Sequence, residues 1–407
     1  MRKQVQYRLL VVRLGAMGDI LHALPAITAL RKAHPTWKID WAVEPRWLPL
    51  LSAEGDNPAR DQSETRSETR PLVDQIHQVP TKVWAKRPFH RETWAEFGAL
   101  RESLRARKYD GVLDLQGAIR SALVARMAGC RRIIGESAPR ESPARWLFSE
   151  RVKTIGKHVI EQDVELASAV AGDLLSPMAA ALPVDFAAEE WCDRLEILKT
   201  AHWKALPIVL VHPGAGWGAK RWPAQRYGIV VEELSQRGAV VLVNAGPGEA
   251  GLAESVVTSA NHDGTVIVST LPQLIALTRR VSLVIGGDTG PLHLACALGK
   301  PVVGIYGPTD PARNGPYGTR FQVLRNPESQ QDHTRREQPE AGLLTITPED
   351  VVQAAAELML ADRQERLQRQ TQQGRLADSE SKSRVIRGKV REGKPIEIEG
   401  TVDWGAQ

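Results

Sequence analysis

LLVVRLGAMGDILHALPAITAL, Leu9 to Leu30, is the stretch on which the architecture turns. Leu9 to Leu14 is apolar apart from Arg13 and lacks the alternation of a half-exposed strand, so it reads as a strand covered on both faces. Gly15-Ala16-Met17-Gly18 reads as a loop, because glycine turns where other residues are strained. Ile20, Leu24, Ile27 and Leu30 then recur at helical spacing, and the period stops near His34-Pro35, since the residue before a proline avoids the helical region. Strand, glycine loop and helix in that order form the repeating unit of a parallel sheet covered by helices.

Outward from this unit, Lys38 to Val43 reads as a second strand, Glu92 to Arg107 as a helix, and Gly111 to Asp114 as a strand leading into Gln116-Gly117 and a helix through Arg126. Glu54 to Arg70 is polar, repeats Ser-Glu-Thr-Arg, and reads as a surface insertion. The same logic returns after a seam near Leu182 to Pro207. Ile208 to Val211, Val240 to Asn244, Val266 to Val268, Leu283 to Ile285 and Val302 to Tyr306 read as strands with helical patterns between them. The expected class is α/β, with two Rossmann-like doubly wound domains, 1–185 and 205–347, facing a central cleft. A C-terminal helix over 348–372 and a charged tail over 373–407 follow, the tail with short strand-like runs at Val385 to Val390 and Ile396 to Val402. Ligands of such sheets bind at the carboxyl ends of the strands.

The 407 residues, 42% of them hydrophobic, suffice for two ordinary cores. No apolar run reaches membrane-spanning length. Cys130, Cys192 and Cys296 are odd in number and widely spaced, which suits a reduced, cytoplasmic protein and no metal site. The net charge of +5 is uneven: Lys82 to Lys157 holds 17 Lys or Arg against 8 Asp or Glu. Such a field suits a nucleic acid, a membrane surface or an acidic small molecule, and equally a solvated basic face.

Three segments carry the chemistry. Asp19 follows the first glycine loop, where a carboxylate caps a helix and where a general base facing a cleft would also sit. Gly15 and Gly18 alone do not make the Gly-x-Gly-x-x-Gly dinucleotide pattern. His212 to Pro223 (HPGAGWGAKRWP) is no Walker loop, yet glycines with Lys220 can cradle a diphosphate. Gly286-Gly287-Asp288-Thr289-Gly290-Pro291-Leu292-His293 opens a helix after a strand, and free N–H groups there bind anions. His293 either points to the same spot or packs in the core.

Taken together, Met17 to Pro25, Asp288 to Ala295 and Tyr306-Gly307-Pro308-Thr309-Asp310-Pro311 resemble the heptosyltransferases of lipopolysaccharide synthesis, the inverting glycosyltransferase family nine. Asp40 to Glu44 and Asp114 to Ala122 look like the first heptosyltransferases, which act on the Kdo next to lipid A, more than the second. The resemblance implies a glycosyltransferase B (GT-B) fold, ADP-heptose in the C-terminal domain and Kdo-lipid A on the N-terminal one. It implies Asp19 as the base, Lys220 at the diphosphate, Glu249 at the nucleotide ribose, and Asp288, Thr289, Gly290 and His293 around the donor sugar and phosphates. Gly214-Ala215-Gly216 stands where relatives often have hydroxyl side chains, leaving backbone donors only. Lys86, Arg87, Arg91 and Arg120 would then meet the acid groups of the acceptor and the anionic inner-membrane surface, placing a peripheral enzyme on its cytoplasmic face. No cofactor, catalytic metal or nucleic acid is expected. The alternatives are a second heptosyltransferase or another family-nine transferase, a silent glycan-binding GT-B module, and a sugar epimerase on a similar fold.

Overall fold

Four apolar residues in a row need cover on both sides. In the computed structural model, which describes residues 6–53, 67–332 and 337–364, β1 (Arg8–Val12) lies inside an all-parallel sheet with Leu9 to Val12 fully buried. The first half continues with α1 (Met17–Ala33), β2 (Lys38–Val43), β3 (Gln75–Gln78), α2 (Thr81–Lys86), α3 (Arg91–Ala106), β4 (Gly111–Asp114), α4 (Ile119–Met127), β5 (Ile133–Glu136), β6 (Glu150–Val152) and α5 (Val159–Ala171). Two short helices, α6 (Phe186–Arg194) and α7 (Glu196–Trp203), lead to the second half. That half runs β7 (Ile208–His212), α8 (Ala224–Gln236), β8 (Val240–Ala245), α9 (Ala250–Ser259), β9 (Thr265–Val268), α10 (Leu271–Arg280), β10 (Leu283–Gly287), α11 (Gly290–Ala297), β11 (Val302–Tyr306), α12 (Pro311–Asn314) and β12 (Phe321–Arg325).

The first sheet has the order β3-β2-β1-β4-β5-β6 and the second β12-β11-β10-β7-β8-β9, every pair parallel. Both are the doubly wound Rossmann arrangement, the order reversing between β1 and β4 and between β7 and β10. The two reversal points open the crevices in which such sheets bind ligands, and the segments singled out above leave these strands.

The halves do not merely face each other. One buried cluster runs from Leu9, Ile20 and Leu24 through Val164 and Leu166 to Leu274, Leu292 and Leu294, so α1 and α5 of the first half share a core with α10 and α11 of the second. Helix α1 is apolar nearly all round because it is covered on nearly all sides. Glu189 of α6 is paired with Arg279 and Arg280 of α10, tying the linking helices to the second half. Each half keeps an outer cluster of its own. In the second, Val351, Val352, Ala355 and Leu358 of the helical residues 348–359 close the face next to Trp222 and Tyr227.

Both sheets lie within one compact unit, Met1–Met359. A second unit is Leu360–Gln407, of which 360–364 are helical. Residues 54–66 of the expected insertion, 365–372 of the expected helix and the whole expected tail lie outside the described residues. Ser67 to Arg70 form a small bridge. No helix among the described residues is long and apolar enough to cross a membrane.

Candidate active site

The amino ends of α1 and α11 meet. A Cβ added to Gly18 would lie 2.8 Å from the His293 ring, and one added to Gly290 would lie 2.5 Å from Met17 Sδ. Each helix thus accommodates the other's side chain only because a glycine stands opposite. The helix starts that carry Asp19, one residue after Gly18, and Gly290, two residues after Asp288, are thereby brought together.

Asp19 Oδ2 accepts from Ala16 N at 3.0 Å, so the carboxylate does cap its helix. It stays 35% exposed, and Arg13 braces it, with Nε donating to Asp19 O at 3.1 Å and Nη2 lying 3.6 Å from Oδ1. Arg13 itself is buried and holds Trp41 through its carbonyl. Capping does not exclude a base role, since the carboxylate stays partly exposed.

In the second half, Lys220 stands at the end of the single turn Gly218–Lys220 and pairs with Asp288 Oδ2. Its ammonium also lies 4.4 Å from the centroid of the Trp217 ring, a favourable cation–π position. Asp288 Oδ1 accepts from His293 Nε2 at 3.0 Å. Burial works against ionisation of Asp288, but the hydrogen bond and charge of His293, with those of Lys220, hold its carboxyl well below the usual range. His293 is therefore neither a free sugar ligand nor plain core; it is a buried member of a polar chain. Thr289 is the N-cap of α11, its hydroxyl bonded to Gly287 O at 3.3 Å, and Gly290 is the first residue of the helix. Glu249 is exposed at the N-cap of α9. A Cβ on either Gly214 or Gly246 would lie 3.4 Å from its Oε2, so it stands over the glycine loop.

Several buried polar groups here lie in segments quoted from the sequence but receive no role of their own there, and Asp163 goes unnoticed. His212 ends β7 with Nε2 unpartnered, and burial lowers its pKa to about 3, which keeps it neutral. Tyr306 at the end of β11 and Thr309 just beyond it have hydroxyls without protein partners. Unsatisfied buried groups at strand ends are what a polar ligand would complete. In the first half, burial raises Asp114 to about 6 and Asp163 of α5 to about 7, and each keeps one oxygen unpartnered. The motifs marked the strand ends of Asp114, Tyr306 and Thr309 without marking burial, and no motif or spacing marks Asp163.

The basic residues take separate places. Glu44, ending β2, accepts from Thr81 Oγ1 and Lys82 N and so anchors α2 at the carboxyl rim of the first sheet. Lys86 and Arg91 project from this segment into solvent, while Arg87 is paired with Glu96 at 2.8 Å. Arg120 is exposed in the first turn of α4, after β4. Between β3 and β4 lie three strand spacings, roughly 14 Å at ~4.8 Å each. The two groups thus stand on separate flanks of the sheet's carboxyl rim.

Comparison with known proteins follows this geometry. The family described as Glycosyltransferase family 9 (heptosyltransferase) matches residues 97–344. Lipopolysaccharide heptosyltransferase 1 of Escherichia coli O18:K1:H7 is 30% identical over 331 residues, covering 79% of this chain and 92% of the relative. The enzyme of the same designation from Pseudomonas aeruginosa is 27% identical over 325 residues, covering 78% and 82%. Among solved structures, E. coli heptosyltransferase WaaC with ADP superposes at TM-score 0.68 and 25% identity, over 86% of this chain and 99% of that one. A family 9 glycosyl transferase from Veillonella parvula superposes at TM-score 0.71 and 20% identity, over 87% and 98%, a likeness of fold.

Proposed function

The chain belongs to glycosyltransferase family 9 and is a glycosyltransferase, and on that footing we propose that it moves L-glycero-D-manno-heptose from ADP-heptose to the Kdo of Kdo-lipid A with inversion. The observation that supports this reading is the meeting of the amino ends of α1 and α11, the first carrying Asp19 and the second following Asp288, which is paired with Lys220. Inversion needs a base on one face of the sugar and a stabilised leaving group on the other. Asp19 takes the proton of the acceptor hydroxyl as its oxygen bonds to the anomeric carbon. The bond from that carbon to the diphosphate breaks, and ADP leaves with the electron pair. Lys220 meets the charge that develops, with the positive end of α11 behind it.

An adenosine diphosphate donor is supported by WaaC, at 25% identity, having been solved with ADP and with ADP-2-deoxy-2-fluoro heptose. On this reading the incoming diphosphate draws Lys220 away from Asp288, whose Oδ2 is then free to accept from a sugar hydroxyl. Glu249 over the glycine loop takes the ribose. The acceptor side is the basic rim, with Arg120 on one flank and Lys86 and Arg91 on the other. Phe89, 92% exposed, and Trp94, 65% exposed, stand among those cations and suit an anionic bilayer at its cytoplasmic face.

The test is turnover with ADP-heptose, GDP- and UDP-sugars on Kdo-lipid A, read by nucleotide release and product mass. ADP-heptose alone is expected to give a heptosylated product. Asp19→Asn should cut kcat by ~100- to 10,000-fold with ADP affinity unchanged. More than a tenth of wild-type kcat would remove Asp19 from the role of base, and a product from a different nucleotide sugar would favour another family-9 activity.

A further inference from the structure

His22 of α1 and His293 of α11 lie on different halves, each 6% exposed, with His22 Nε2 and His293 Nδ1 3.2 Å apart. His293 Nε2 donates to Asp288 Oδ1, so one further proton must sit between the two rings. Asp288 in turn holds Lys220. A single line of contacts therefore runs from the helix that carries Asp19 in its first turn to the lysine assigned to the diphosphate. Burial, reinforced by the neighbouring His293, His158 and Arg13, keeps His22 uncharged. His158 packs edge-on against it, ring centroids 5.6 Å apart, and is itself bonded to Gly315 O of the second half at 3.0 Å. Held on both sides, His22 has little freedom to turn away.

Resting on the reading above, we propose that His22 is a positioning residue. By holding the His293 ring from across the seam, it fixes the orientation of Asp288 and hence of Lys220 relative to Asp19. Without it, His293 Nδ1 is a buried group with no partner, and its ring can rotate to find one, taking Asp288 with it. The role is separate from packing. A cavity of about 260 Å³, lined by Leu21, Pro25, Cys296 and Tyr317, lies beside both imidazoles and leaves room for a ring that makes no hydrogen bond.

Three variants test this. His22→Phe fills the site without the bond, His22→Gln restores an amide at the reach of Nε2, and His22→Asn carries an amide that ends short of His293. The Phe and Asn variants are expected to lose about 10- to 100-fold in kcat, the effect of leaving one buried partner unpaired. Acceptor KM should be unchanged, and Gln should stay within about threefold of wild type. Should His22→Phe not fold, His22→Asn against His22→Gln makes the same comparison. A readout independent of turnover is the 15N shifts of the His293 ring in the free protein. Wild type and His22→Gln should show a hydrogen-bonded Nδ1, and the other variants should not. Equal kcat in the Asn and Gln variants, or an unchanged His293 signature in His22→Asn, overturns the proposal. Absence of wild-type turnover with ADP-heptose, with the ring shifts as expected, would instead fault the substrate assignment.

Discussion

Asp163 lies on α5, 2% exposed, with Oδ2 unpartnered, and burial raises its pKa to about 7, with Asp19 and Glu136 adding to the rise and Arg13 and Arg313 opposing it. The unfolded chain gives up this proton near pH ~4. Between there and about pH 7 the folded state binds the extra proton, so stability falls as pH rises through that window. Asp163→Asn, neutral throughout, is expected to raise Tm over wild type at pH 8 and to change it little near pH 4. Thermal unfolding at the two values checks this, and the same Tm difference at both would contradict it. Nothing in the sequence marks Asp163, because an Asp in an amphipathic helix ordinarily faces water; only the packing of α5 on α1 buries it. Asp19 and Lys220 could be picked out as candidates, since each stands beside glycines at a strand's carboxyl end, although capping alone would account for Asp19. The commitment of Lys220 to Asp288 was not legible, because 68 residues separate the partners.

Among the elements, the central strands could be read and several of the outer ones could not. β1, β7, β8, β10 and β11 are largely apolar runs because both their faces are covered, and β2 (KIDWAV) is buried as well despite Lys38 and Asp40. β3 (QIHQ) and β6 (ERV) are sheet edges, too short and polar to stand out, and β5 and β12 were missed for want of a long apolar run. Helices α6 and α7 fill what reads as a seam, because short helices between two halves carry no long period. The contact of α1 with α11 depends on two glycines, and Gly18→Ala tests it. The added Cβ would press on an imidazole held by Asp288 and His22, so it cannot be relieved by a simple swing. A cost of about 1–3 kcal/mol is expected for such overpacking, seen as a lower Tm, together with reduced kcat. Wild-type values of both would mean that the helices part freely.

At the scale of the whole molecule, the basic excess of Lys82 to Lys157 sits on one half and includes the rim where Phe89 and Trp94 are exposed. If this face meets a membrane, Phe89→Ser with Trp94→Ser should weaken sedimentation with vesicles containing phosphatidylglycerol, and high salt should weaken it further. Turnover of a soluble acceptor lacking acyl chains should be unaffected. Equal vesicle binding by variant and wild type would leave the patch without that role. The sequence by itself determined the class of the fold, because burial on both faces leaves continuous apolar runs and the intervening helices leave their period. It also marked the candidate site segments, because glycine loops with a charge at strand ends are local patterns. Only the tertiary structure decided what those charges touch. The seam is a shared core rather than an open hinge, His22 reaches His293 across 271 residues, and Asp114 and Asp163 become buried carboxyls. The physical reason is that burial and partnership arise between elements distant in the chain, and no local period or spacing records which faces will meet.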